Sequence, residues 1–84
     1  MAVASEESDL SWDNIEVAEL ILLEGAPPLW KIMSADFSAY HTHLRHVVEV
    51  AQRAKSERRK IKAGYARDAS GRLILHSVIP LKLP

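Results

Sequence analysis

Three histidines, His41, His43 and His46, fall close together, and Glu49 follows three residues after the last of them. Residues three and four apart are neighbours on a helix. His43, His46 and Glu49 would then stack along one face, a nitrogen and oxygen set of the kind zinc accepts. The pattern is incomplete for that purpose. The chain has no cysteine, its fourth histidine is the distant His76, and a histidine pair alone specifies no geometry. The reading is a solvated face with some sensitivity to pH, no metal site and no other cofactor. Ser34 and Ser38 lie near the histidines, but nucleophilic catalysis needs an activated nucleophile, a base within reach and a group that orients the base. Gly25, Gly64 and Gly71 are the only glycines. Each suits a local turn, and none belongs to a loop that would cradle phosphate. The expectation is a protein that is not an enzyme.

Charge is the stronger signal. The net charge is zero, yet residues 1–36 carry eight acidic and one basic side chain, and residues 37–84 carry three acidic and ten basic. Six of those ten, Arg53, Lys55, Arg58, Arg59, Lys60 and Lys62, form one cluster opposed only by Glu57, and Arg67 and Arg72 follow it. Such a cluster suits contact with phosphates and marks a nucleic-acid accessory factor as the alternative function. Two simpler explanations compete. Cations are favoured near a helix C-terminus, and the acidic first segment can lie beside the basic one and cancel its field.

The elements that must position these groups are expected to be mainly α, with a β-hairpin appended. Residues 1–12 are acidic and polar and are expected to be a flexible N-terminus, and residues 13–84 a single small domain. Asp13 is a good N-cap with Glu16 three residues on, as in a capping box, and Gly25 followed by Pro27 and Pro28 forbids continuation. A short helix is therefore expected over 14–24, then a Pro-rich turn through Leu29, Trp30, Ile32 and Met33. Ser34 offers a second N-cap, and no breaker follows until Gly64, so a long helix is expected over 35–63. Its apolar positions, Phe37, Tyr40, Leu44, Val47, Ala51 and Ala54, repeat at alternating spacings of three and four. Asp68 and Gly71 suit a turn, giving a C-terminal β-hairpin over 65–79.

An eleven-residue helix cannot cover one of twenty-nine, and an isolated hairpin is marginal in water. A chain of 84 residues without cysteine gains from association. The function expected first is therefore that of a regulatory or adaptor protein, binding a protein partner or forming a homo-oligomer. Its contacts would be Phe37, Tyr40, Leu44, Val47 and Ala51 on the helix and Leu73, Leu75 and Ile79 on the strand. No membrane partner is expected, since no apolar run approaches the roughly 20 residues that a spanning helix requires. The acidic N-terminus lacks the marks of an export signal, and the expected location is cytoplasmic.

Overall fold

The computed structural model describes residues 10–81. Among these residues there are five strands and one helix: β1 (Ser11–Leu23), β2 (Leu29–Ser34), β3 (Ala39–Thr42), α1 (Arg45–Glu57), β4 (Lys60–Arg67) and β5 (Leu73–Pro80). The strands close into a barrel in the order β1-β2-β3-β5-β4. Every neighbouring pair is antiparallel except β3 and β5, which run parallel.

The chain is predominantly β, and the expectation of a mainly α protein is overturned. The segment expected as helix 14–24 is strand as far as Leu23, part of β1, which pairs with β4 through Ser11 to Glu16 and with β2 from Val17 to Leu23. A bulge between Val17 and Glu19 shifts the side-chain phase by one residue. Ile15 and Val17 enter the core two residues apart, and Leu20 packs against it three further on. A bulged strand thus imitates helical spacing, and the bulge also supplies the bend a strand needs to serve two neighbours in a barrel. The expected Pro-rich turn becomes β2. The expected helix 35–63 shrinks to Arg45–Glu57, because residues 34–38 form a turn, Tyr40 and Thr42 alternate into the core on β3, and Lys60 already belongs to β4. The flexible segment expected over 1–12 lies outside the described residues as far as residue 9, while Ser11 and Trp12 are strand.

The core is built from one side of each strand and one face of the helix. Ile15, Val17, Ile32, Tyr40, Ile61, Ala63 and Leu75 line the barrel, and Val47, Ala51 and Ala54 seal one end. The helical positions lie four and three apart, so α1 presents one apolar stripe as a lid. Tyr40 and Tyr65 meet edge to face with ring centroids 5.3 Å apart. The Tyr65 hydroxyl donates to Asp13 Oδ2 at 2.9 Å.

Closure between β3 and β5 is narrow, with Tyr40 opposite Leu73 and His41 opposite Ile74. Thr42 reinforces it. Its hydroxyl, fully buried, donates to the Leu75 carbonyl at 3.2 Å and accepts from the Leu44 N–H at 3.0 Å. Leu44 is the residue at which α1 begins, and it supplies no side-chain cap of its own. One hydroxyl therefore ties the seam of the barrel to the start of the helix.

The helix stops without glycine or proline. Arg58 adopts the left-handed conformation at φ 55°, and its N–H reaches back to the carbonyls of Ala54 and Lys55. A side chain is disfavoured there and glycine is not. Arg58→Gly is expected to raise stability by about 1 kcal/mol, some 4–8 °C in melting temperature for a domain of this size. An unchanged or lower melting temperature would mean that the Arg58 side chain contributes contacts worth as much as the relieved strain.

Candidate nucleic-acid interface

Side chains alternate along a strand, so with Ile32, Tyr40, Thr42 and Leu75 buried, their neighbours Lys31, His41 and Ile74 point away from the core. The register brings these into one row. Ile21 lies opposite Lys31, Lys31 opposite His41, His41 opposite Ile74, and Ile74 opposite Ala66. The row crosses all five strands on the outer wall, each member half-buried by its neighbours.

Two turns frame one end of this wall. In the β4–β5 turn the Asp68 carboxylate accepts hydrogen bonds from the N–H groups of Ser70 and Arg72, each at 2.9 Å, and from the Ser70 hydroxyl at 2.7 Å. These bonds, led by the Ser70 hydroxyl, hold its carboxyl below the usual range. Arg67 Nη1 donates to the Gly71 carbonyl at 2.9 Å, and Arg72 Nε sits 3.3 Å from Ser70 Oγ. The guanidinium groups are thus carried on an ordered turn. In the β2–β3 turn the Ser38 N–H bonds to Asp36 Oδ1 at 3.0 Å, and Phe37 stands out at φ 72° with 86% of its surface exposed. A non-glycine residue held at positive φ is uncommon, and that this one is a large aromatic left almost bare gives the hairpin tip a contact character.

Burial, followed by the nearby charges of Arg72 and Lys31, holds His41 below its ordinary pKa of 6.5. Its Nδ1 is shielded from solvent and has no hydrogen-bond partner. The folded chain therefore prefers the neutral ring. The unfolded chain binds that proton more readily, so stability rises with pH between the folded value and 6.5 and is lost as pH falls through that window. The melting temperature is expected to drop on acidification below 6.5, and His41→Gln to flatten the drop. A variant whose profile runs parallel to the parent would assign the linkage to another group.

The residues singled out from sequence are dispersed. Of the expected protein-contact stripe, Tyr40, Val47, Ala51 and Leu75 are buried in the core and Leu73 packs against it. Phe37, Leu44 and Ile79 remain exposed. The basic cluster is not a helical rod. Arg53 and Lys55 lie on the last turns of α1, Arg58 turns the chain, and Arg59 Nε pairs with Glu57 Oε1 at 2.9 Å. Lys60 and Lys62 point outward from β4, with Glu16 opposite Lys60 and Asn14 opposite Lys62. Arg67 lies at the far end of that strand and Arg72 in the turn that follows.

His43 donates from Nδ1 to the Pro28 carbonyl at 2.8 Å and so ties the β1–β2 loop to the start of α1. Among the described residues no group of three His, Cys, Asp or Glu side chains is placed to share a metal ion, and no helix is long and apolar enough to cross a membrane. Lys31 joins the site without having stood out in the sequence. Its signal there is the alternation Trp30, Lys31, Ile32, which places one cation on the outside of a strand.

The barrel has five strands closed by β1 against β4, with its helix between the third and fourth strands and a parallel third and fifth. No protein-family model, no curated protein and no solved structure matches the chain.

Proposed function

We propose that this chain is a non-enzymatic module that binds single-stranded nucleic acid on the outer wall of β2, β3 and the start of β5. The observation that carries the reading is that Lys31 and His41 are neighbours on that wall and the Arg72 charge reaches His41 from the adjoining β4–β5 turn, with Phe37 exposed at the tip of the β2–β3 hairpin. Barrels of this connectivity use the face of their second and third strands and the loops beside it for oligonucleotides and oligosaccharides. A fold alone assigns no activity, so the weight rests on the cations and the aromatic. Cations would follow the backbone and Phe37 would offer a stacking face, a combination that tolerates any sequence. A cytoplasmic setting goes with this proposal, since nucleic acid is available there.

Fluorescence anisotropy with a labelled deoxythymidine oligomer tests it. Binding should weaken steeply with salt and change little with base composition, and an unlabelled duplex should compete poorly. Absence of binding at low salt to both DNA and RNA single strands would overturn the reading. A protein-contact role is the second reading, supported by Phe37, Leu44 and Ile79 as exposed large apolar side chains. It expects a protein partner to be retained after nuclease treatment.

A further inference from the structure

The basic residues of β4 and the exposed Trp12 lie off the wall just described, and the geometry between them is specific. Gly64 faces outward on β4, directly opposite Trp12 on β1. A Cβ built on Gly64 would meet three consecutive atoms of the six-membered ring of Trp12, Cζ2, Cη2 and Cζ3, at 2.8–2.9 Å. Near-equal approach to three adjacent ring atoms means that the indole presents its face to the strand rather than its edge. A side chain at Gly64 would displace the ring from this seat. Trp12 is nevertheless 39% exposed. The ammonium of Lys62 lies 5.6 Å from the ring centroid, a cation–π distance. Lys62 is flanked across the strands by Asn14 and Ile79, neither of which carries charge.

We propose that Trp12, seated on Gly64, and Lys62 form a second contact for a single strand of nucleic acid, the indole stacking on a base and Lys62 meeting the adjoining phosphate. This rests on the reading above, and it extends the bound strand along a defined course. From Lys31 and His41 the row passes to Ile74 and then to Ala66 on β4. Gly64 and Lys62 follow on the same outward side of β4, at two-residue steps of about 7 Å. Three strand-to-strand steps of about 4.8 Å and two steps along β4 make a path of about 28 Å. Only an oligomer well above the smallest site size for such barrels, about 4 nucleotides, would reach both ends. On the other side of the barrel Glu16 and Glu19 project from β1 between the two surfaces, which disfavours a strand crossing there.

The test uses the full chain carrying Trp30→Phe, in which Trp12 is the one remaining indole, and deoxythymidine oligomers of about 4 and about 10 nucleotides. The longer oligomer is expected to quench Trp12 emission and the shorter to leave it unchanged. In the unaltered chain, Lys62→Gln should weaken the longer oligomer about fivefold or more and the shorter hardly at all. Trp12→Phe, which keeps an aromatic ring, should retain more affinity than Trp12→Leu. If the longer oligomer binds without quenching, and Lys62→Gln matches the parent, the second contact is overturned while the first surface stands, provided that Lys31→Glu still weakens binding. If neither oligomer binds at low salt, the nucleic-acid reading itself fails and this inference falls with it.

Discussion

Exchanging Lys31 for Glu and Arg72 for Gln together is expected to weaken binding of a single-stranded deoxythymidine oligomer by roughly 150-fold or more at low salt, about 3 kcal/mol at least. Each side chain is taken to make one charge-assisted phosphate contact, and such bonds are worth about 1.5–3 kcal/mol apiece. Anisotropy titrations over a range of salt supply a second readout, because the log–log slope should fall by about 0.7 for every phosphate that is no longer neutralised. Gln rather than Glu is chosen at residue 72 because Arg72 Nε lies 3.9 Å from Asp68 Oδ2, and a second carboxylate there would disturb the turn. Lys31 projects from the outer wall and Arg72 is exposed in the β4–β5 turn, so the melting temperature should hardly move. Unchanged affinity with an unchanged salt slope would remove this wall from consideration.

The largest stability effect is expected at a residue with no part in binding. Thr42→Val keeps the shape of the side chain and deletes a hydroxyl that serves both the Leu75 carbonyl and the Leu44 N–H. Each buried polar group left without a partner costs about 1–3 kcal/mol. The pair puts the destabilisation at roughly 2–6 kcal/mol, on the order of 10 °C or more in melting temperature for a chain of this length. Thr42→Ser keeps the hydroxyl and should cost about 1 kcal/mol, the worth of a buried methyl group. Equal effects in the two variants would show that packing, and not the hydrogen bonds, is what Thr42 contributes.

The sequence disclosed these features unevenly, for physical reasons that lie in particular residues. The turn at Asp68 to Gly71 is legible because its chemistry is local: a carboxylate that caps backbone N–H groups and a glycine at φ 89°. The start of β1 is deceptive because Asp13 and Glu16 imitate a capping box. In the barrel Asp13 instead accepts from Tyr65, a residue far away in sequence. The end of α1 is hidden because an arginine, not a glycine, turns the chain there. The absence of any breaker between Ser34 and Gly64 then lets β3, the helix and the start of β4 read as one long periodic stretch. The cations of the basic cluster are legible as residues but not as a surface, since strand register scatters Arg53, Lys62 and Arg72 over three regions of the barrel. Lys31 and His41 become neighbours only through the pairing of β2 with β3.

The seam between β3 and β5 has a kinetic meaning. The four antiparallel pairings of the barrel are longer than the two-pair parallel match of Tyr40 with Leu73 and His41 with Ile74. β2 with β3 and β4 with β5 are hairpins that close over short loops, whereas the seam must wait for α1 and β4 to be in place between its partners. As the shortest pairing, it is expected to form late and to be the first to part. Interactions made after the folding barrier act mainly on the rate of escape from the native state. Deleting the Thr42 hydroxyl should accordingly show itself as faster unfolding with folding little slowed, so that this one side chain governs how long the barrel stays shut more than how quickly it forms.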